Sequence, residues 1–439
     1  LNAWAGITAV LVALGALLAG VRLAQRSGLV GAEGARKLVH MGMGVVCLTF
    51  PRVFQAVWPV WVLAGGAVAA LGALRAVPLL RREIGGVLHD VNRISWGEVY
   101  FPIGVALVFM LARGDALRFV VPVALLTFAD AAGALVGKRW GRWKYATLEG
   151  GKSLEGSLAV GVVGFVCVAG PLLATGWEWR AAMLIGAVIG VFALLLEAIS
   201  WRGLDNFFLP LAVYAQLNVY QDDSLGELAG KFGVLMMMAG VGLVWRRGQV
   251  VDDCARLGAT LALFFFWSVG GWMWLISPLV LVASYVRLMP TVPGGAPKHD
   301  LLAVICVSSV GVVWAVAQAF APGERWLWAF VLGLTAHQAM IAIVRFSQGR
   351  PRWPRSVCWV VGVGQAVVLQ GLVFWAIDRG AMVTGAGLAA GAVWVAVGAA
   401  GFMAVERNLR APADLNERWW KQGLAAVIAS AGTISTIYL

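Results

Sequence analysis

The sequence predicts an all-α, polytopic transmembrane bundle of about 14–16 spans with its N-terminus outside, and three observations carry that reading. Of 439 residues, 61% are hydrophobic and only 13% are charged, whereas soluble globular chains sit near a quarter charged. Apolar runs of about 20 residues, enough to cross a bilayer, recur from end to end. They are continuous and lack the alternation of a membrane barrel, so the spans are helical. A water-soluble fold is excluded.

Taken in order, the runs between polar breaks lie at 2–21, 38–54, 57–75, 98–112, 119–137, 157–175, 181–200, 206–221, 232–245, 257–273, 275–288, 301–320, 326–344, 358–377, 383–403 and 423–439. The first, Asn2–Gly20, has no basic stretch before it and reads as a span rather than a cleaved leader. With the N-terminus outside, every second loop is cytoplasmic, and those loops hold 27 of the 34 Lys and Arg residues. Among them are Arg22, Arg26, Arg36 and Lys37, then Arg75, Arg81, Arg82 and Arg93, then the basic residues from Lys138 to Lys152. One misplaced span would scramble this bias, so the alternation supports the span order. It also accounts for the net charge of +12, and no nucleic-acid partner is implied. Five scattered cysteines without a CxxC pair indicate neither a zinc site nor a disulfide framework. The loop Trp245–Arg256 separates residues 1–250, which hold nearly all the unusual polar residues, from the blander residues 255–439. No internal repeat links the two.

Asp130 is the strongest chemical signal. It lies inside Thr127-Phe128-Ala129-Asp130-Ala131-Ala132-Gly133, where an acid is costly and ordinarily faces a cavity, an ion or a partner. Asp130, Gly133 and Gly137 share one helical face. The plainer alternative is a structural Asp paired with an Arg between helices. Next come Lys138, Gly141, Arg142 and Lys144, then Gly150-Gly151-Lys152-Ser153-Leu154-Glu155-Gly156-Ser157. These glycines admit close backbone approach and the cations can hold phosphate oxygens; an ordinary basic cytoplasmic loop is the alternative. It is not a P-loop: Ala146 stands where the leading glycine belongs, and no strand–turn–helix context is expected.

Further along, Glu197 closes a long apolar run and Asp205-Asn206 precede the next. Such acids suit a Mg²⁺ bridging nucleotide phosphates, or, for Asp205, a helix cap. Earlier, Arg36, Lys37 and His40 lie within about one turn and can converge on one anion, or serve as a positive-inside anchor. Glu98, in Trp96-Gly97-Glu98-Val99-Tyr100-Phe101-Pro102, reads as a ligand, a base or a solvated interfacial acid. His89, His299 and His337 form no metal-ligand spacing.

In this order, Arg36-Lys37-x-x-His40, Trp96-Gly97-Glu98-x-Tyr100-Phe101-Pro102, Ala129-Asp130-Ala131-Ala132-Gly133, Gly137-Lys138-x-x-Gly141, Lys152-Ser153-x-Glu155-Gly156-Ser157 and Glu197…Leu204-Asp205-Asn206…Pro210 resemble the phytol kinase and dolichol kinase family. That family is related to the phosphatidate cytidylyltransferases, and the resemblance covers about residues 30–245. It implies a membrane kinase that moves a phosphoryl group from CTP, or another nucleoside triphosphate, to an isoprenoid alcohol such as phytol, geranylgeraniol or a polyprenol. Mg²⁺ or Mn²⁺ is the implied cofactor. On this resemblance Asp130, Glu155 and Lys152 are catalytic. Lys138, Gly141, Gly151, Lys152, Ser153, Gly156, Ser157, Arg36, Lys37 and His40 contact the nucleotide. Asp130, Glu197 and Asp205 hold the metal, and Glu98, Tyr100 and Asn206 lie near the acceptor. Whether Asp130 or Glu155 orients the hydroxyl, and which acid is base rather than ligand, stays open.

The expected setting is a bacterial inner membrane with the site on the cytoplasmic side, and a homo-oligomer is compatible with it. Residues 255–439 exceed a minimal kinase of this type. Leu257–Leu288, with Gly270-Gly271-Trp272, faintly resembles the start of the phytyl-phosphate kinase-like membrane family, but the acidic motif expected further along is absent. Scaffold, dimer surface and lipid-handling extension are all open roles. Two readings compete for the whole: a cytidylyltransferase acting on a lipid phosphate, and a lipid transporter or flippase. Against the latter, no paired broken helices recur in repeated halves.

Overall fold

The computed structural model describes residues 2–76, 96–147, 150–244, 251–292, 298–378, 385–410 and 415–438. Arg81, Arg82, His89, Arg93 and the loop residues 245–250, all read above from sequence, lie outside the described residues. Among those described, sixteen long helices follow one another, and the chain is an all-α polytopic bundle. Nine of them are long and apolar enough to cross a membrane. The chain forms two compact units, Leu1–Leu235 and Met236–Leu439.

The first unit holds α1 (Ala3–Arg26), α2 (Ala32–Leu48), α3 (Trp58–Ala76), α4 (Gly97–Ala112), α5 (Ala116–Trp140), α6 (Leu154–Ala174), α7 (Trp179–Ala198), α8 (Asp205–Tyr220) and the start of α9 (Leu225–Val244). Side chains at or just outside the edges of the apolar runs set several starts. Asn2 Oδ1 accepts from Trp4 N–H at 3.2 Å, Asp115 Oδ1 from Leu117 N–H at 2.9 Å and Glu178 Oε2 from Ala181 N–H at 2.8 Å, each filling a donor the helix leaves open. The helices therefore reach past the apolar runs. α9 begins at Leu225, not 232, and α5 continues through Lys138 and Arg139 to Trp140. Polar residues at a span's ends stay helical while their heads reach the interface, so hydropathy alone cuts such helices short.

Helices α5, α6 and α7 pack closely because glycines face one another. A Cβ at Gly156 would lie 2.8 Å from the Gly133 carbonyl oxygen, and one at Gly190 2.8 Å from that of Gly161. Small residues let backbones approach in a membrane, where lipid supplies no hydrophobic drive between helices. Between α5 and α6 the expected loop contains a two-stranded antiparallel hairpin, β1 (Lys144–Thr147) and β2 (Gly150–Ser153), pairing Lys144 with Ser153 and Thr147 with Gly150. This corrects one expectation: Gly151-Lys152-Ser153 does lie on a strand that runs directly into a helix.

The second unit continues with α10 (Asp253–Gly270), α11 (Ile276–Arg287), α12 (Leu301–Phe320), α13 (Glu324–Gly349), α14 (Arg355–Asp378), α15 (Gly385–Val405) and α16 (Leu415–Tyr438). Helix α13 is its centre, with the whole membrane-length stretch buried. Phe330 of α13 meets Phe266 and Trp274 at ring distances of 5.0 and 4.6 Å. Polar side chains inside this unit pair with one another: Gln370 Nε2 donates to Gln338 Oε1 at 2.8 Å and to the Ser277 carbonyl at 3.1 Å.

Candidate active site

Eight elements of the first unit bring polar side chains together. The α2 sequence Ala35-Arg36-Lys37 places Lys37 on the buried side of its helix, where it is 6% exposed. Its Nζ donates to Asp130 Oδ2 of α5 at 2.6 Å. His40, one turn on, sets Nε2 3.9 Å from the same oxygen and 3.3 Å from the Leu126 carbonyl, and its ring meets Phe101 of α4 at 5.1 Å. The charge of Arg36 also acts on Asp130. Of Arg36, Lys37 and His40, expected from sequence to converge on one anion, Lys37 and His40 face Asp130 and Arg36 acts on it through its charge. The plainer pairing foreseen for Asp130, an Arg, is replaced by a Lys from another helix.

A second pair lies opposite. Lys152, at the end of β2, donates to Glu197 Oε1 at 2.8 Å, to Ser200 Oγ at 2.9 Å and to the main-chain carbonyl of Glu197. All three ammonium donors are thereby used. Ser153 then caps α6, its Oγ accepting from Gly156 N–H at 3.2 Å, and Ser157 shares a 2.6 Å hydrogen bond with Tyr145 of β1. The carboxylate of Glu155 accepts from the main-chain N–H groups of Arg142 and Trp143 at 2.9 and 3.2 Å. Glu155 thus ties the hairpin to the first turn of α6, and its oxygens are engaged there. The Gly151-Lys152-Ser153 triplet differs from a P-loop in how it is used: its glycines are in the strand, and its lysine is turned to an acid on α7.

Asp205 begins α8 and does not cap it, since Leu204 holds the capping position. It is half-buried, and among the described residues it has no ion-pair partner. It lies close enough to Asp130, Glu197 and Lys152 for all three charges to act on it. The neighbouring Asn206 carries a buried Oδ1 with no hydrogen-bond partner among the described residues. Helix α4 is pinned alongside: Trp96 N–H donates to the Arg202 carbonyl at 3.1 Å, and Tyr100 faces Phe207 with ring centres 6.5 Å apart. Gly104 lets α4 approach α8, since a Cβ there would lie 2.6 Å from the Asn206 carbonyl oxygen. Glu98 and Tyr100 are therefore held beside the start of α8.

The nucleotide contacts expected from sequence divide in two. Lys138 and Gly151 are exposed at the hairpin end. Gly141 and Gly156 serve packing: a Cβ on either would collide with the Gly137 or Gly133 backbone. Among the described residues no three His, Cys, Asp or Glu side chains are gathered as a ready metal-ligand group, and lysines pair with two of the three acids. The donors nevertheless fit a hard divalent cation. Carboxylate oxygens are its natural ligands, and Asp205, within reach of the Asp130 and Glu197 charges, forms no ion pair of its own among the described residues. Residues that sequence reasoning missed are Ser200, Tyr145 and the carbonyl of Leu126. Ser200 had a signal, since it follows Glu197 by three residues at a helix end; the other two are tertiary contacts with none.

No family model matches the chain, and no solved structure matches it. Among curated proteins, phytol kinase of Synechocystis is 30% identical over 213 residues, spanning 47% of this chain and 88% of that protein. The chain belongs to that family of lipid kinases. The match lies in the N-terminal half, as the motif order anticipated. A second member of this lipid kinase group, CTP-dependent diacylglycerol kinase 1 of Schizosaccharomyces pombe, is 32% identical over 146 residues, or 30% of this chain and 64% of that protein. The chain is thus a multi-pass membrane protein of a lipid kinase family that includes CTP-dependent members.

Proposed function

We propose that residues 1–235 transfer the γ-phosphoryl group of CTP to the hydroxyl of an isoprenoid alcohol such as phytol, geranylgeraniol or a polyprenol. The observation that carries this is the convergence of Lys37–Asp130, Lys152–Glu197 and the unpaired Asp205 at one end of the helices, beside a buried acceptor on Asn206. Phosphoryl transfer needs positioning and charge neutralisation more than covalent help, and the cluster offers both. Lys152 and the exposed Lys138 neutralise the triphosphate, with Arg36 and His40 behind them. To reach a phosphate oxygen, Lys152 gives up one of its present acceptors, and Ser200 is the one that carries no charge. Glu155 keeps the hairpin in place over the phosphates.

Asp130 and Asp205 are the proposed ligands of Mg²⁺ or Mn²⁺, with Glu197 holding Lys152 in position. That ion would spread the negative charge that grows on the leaving phosphates. The substrate hydroxyl donates its hydrogen bond to Asn206 Oδ1 and aligns its oxygen on the γ-phosphorus. The new O–P bond forms as the bond to the bridging oxygen breaks, CDP leaves, and the alcohol's proton passes to solvent. Glu98 and Tyr100 border the entrance for the acceptor.

The similarity to a CTP-dependent diacylglycerol kinase favours one second reading, in which the acceptor is diacylglycerol and the chemistry is unchanged. Purified protein with γ-labelled CTP or ATP, offered phytol, geranylgeraniol, farnesol, a polyprenol and diacylglycerol, decides between them. Label in an isoprenoid phosphate with release of CDP is the expected result. Release of pyrophosphate would make the protein a cytidylyltransferase, and label only in phosphatidic acid would replace the first acceptor with the second. The proposed orientation puts this site and the odd-numbered loops on the cytoplasmic side.

A further inference from the structure

At the end of the second unit where α11 and α13 finish and α12 and α16 begin, a cationic and aromatic cluster lies outside every role assigned above. Arg345, near the end of α13, sets its guanidinium carbon 5.1 Å from the centre of the Tyr285 ring on α11. The Tyr285 hydroxyl is 2.6 Å from His299 Nε2, and the His299 ring meets the edge of Trp419 on α16 at 5.4 Å. The segment bearing His299 is itself fixed, because its carbonyl accepts from Asp252 N–H at 2.9 Å. These contacts join four helices and define a rigid corner.

Among the described residues the corner holds no anion paired with Arg345 or His299. Arg345 Nε and His299 Nδ1 are both buried with no hydrogen-bond partner among the described residues, and Arg345 forms no ion pair among them. Two described acids on the adjoining segments are engaged elsewhere. Glu406 is taken by Arg418 and Lys421 at 3.8 and 3.3 Å, and Asp300, whose charge reaches His299, caps α12 through Ala303 N–H at 3.1 Å. Burial, with the Arg345 charge behind it, holds the His299 imidazole below its ordinary range, so the ring is neutral near pH 7. In the tautomer in which Nε2 accepts from the Tyr285 hydroxyl, Nδ1 carries the proton and is a buried donor with no partner among the described residues. A buried donor left unfilled is costly, and an oxyanion reaching both Arg345 Nε and His299 Nδ1 would fill the two. Val286, Leu288, Trp420 and Leu424 beside the corner are exposed, which is the pattern of a lipid-facing rim at headgroup depth.

We propose that Arg345 and His299 bind a phosphate monoester at the rim of the second unit. A planar guanidinium with a second fixed donor matches two oxygens of one phosphate, and phosphate is the oxyanion that lipid headgroups present at this depth. The same donors would take the group from a phosphorylated lipid or from free phosphate. The site does not depend on which alcohol the first unit phosphorylates.

Native mass spectrometry of the detergent-solubilised full chain tests this, with titrations of dioleoyl phosphatidic acid, dioleoyl phosphatidylglycerol and inorganic phosphate. Phosphatidic acid is expected to bind, and Arg345→Gln or His299→Gln to weaken that binding about tenfold, the scale of one charge-assisted hydrogen bond. Asp130→Asn should leave this component intact, which separates it from product retained in the first unit. Displacement by inorganic phosphate would identify the free anion as sufficient, and its failure would assign the site to the lipid. Equal binding by wild type and Arg345→Gln overturns the proposal, as does phosphatidylglycerol binding as tightly as phosphatidic acid. Arg345→Lys, which keeps the charge but loses the fork, should fold, melt at the wild-type temperature without lipid and bind with intermediate affinity.

Discussion

At the residue scale the first unit depends on two lysine–carboxylate pairs that are nearly dry. The Lys37 side chain is 8% exposed and that of Asp130 23%, so removing one partner strands a charge. Lys37→Ala should destabilise the protein by about 3 kcal/mol, read as a lower melting temperature in detergent. The double change Lys37→Met with Asp130→Leu should recover most of that stability, because an apolar pair of similar volume replaces a buried ion pair at little cost. Activity should not return with it. If kinase activity survives in the double variant, Asp130 is structural and its place in catalysis is wrong. Asp130→Asn alone should lower kcat by about 100-fold or more, the usual scale for losing one preorganised electrostatic group. At the second pair, Lys152→Ala should raise KM for CTP and lower kcat together, while Ser200→Ala should change either by only a few-fold, since the Glu197 carboxylate still holds the ammonium.

At the element scale the close crossing of α5 and α6 decides where the hairpin and Lys152 sit. Gly156→Ala puts a methyl 2.8 Å from the Gly133 carbonyl oxygen and 3.2 Å from Gly137 Cα, and backbone atoms cannot swing aside. The expected cost is about 1–3 kcal/mol, seen as earlier thermal unfolding. Separating the helices also moves β2, so the CTP KM should rise although no substrate contact has been removed. The Glu155 carboxylate works at this scale too. Glu155→Gln keeps one acceptor for the Arg142 and Trp143 N–H groups and should retain much of the activity, whereas Glu155→Ala frees the hairpin. Equal, complete loss in both variants would instead mark Glu155 as chemical.

At the scale of the whole molecule, the alternation of basic loops proposes that the hairpin end faces the cytoplasm. In a cysteine-free background, Lys144→Cys should react with a membrane-impermeant maleimide in inverted vesicles and not in intact cells, and Asp115→Cys should do the opposite. The reverse pattern would invert the topology. The proposed divalent cation belongs here as well, since its proposed ligands Asp130 and Asp205 lie on α5 and α8. Stripping metal with EDTA should abolish phosphoryl transfer, and added Mg²⁺ or Mn²⁺ should restore it.

The sequence by itself determined the class, the span order and the chemical inventory. Continuous apolar runs have one solution in a bilayer, so each of the sixteen runs has a helix at its position, and nine of the described helices are long and apolar enough to cross a membrane. Asp130 stood out because an acid there has to be accounted for wherever the chain folds, and the ordered motifs led to the correct family. Tertiary structure alone decided the partners. That Lys37 rather than an Arg answers Asp130, and that Lys152 belongs to Glu197 45 positions away, follows from how α2, α5, β2 and α7 cross, and local spacing contains no term for that. The hairpin escaped notice for the same reason, as two four-residue strands gain their stability from pairing and from Glu155 rather than from any periodicity. In the second half the sequence was bland. Only the packed corner revealed that Arg345 Nε and His299 Nδ1 are buried without a hydrogen-bond partner among the described residues, because an unsatisfied group is a property of surroundings and not of residue type.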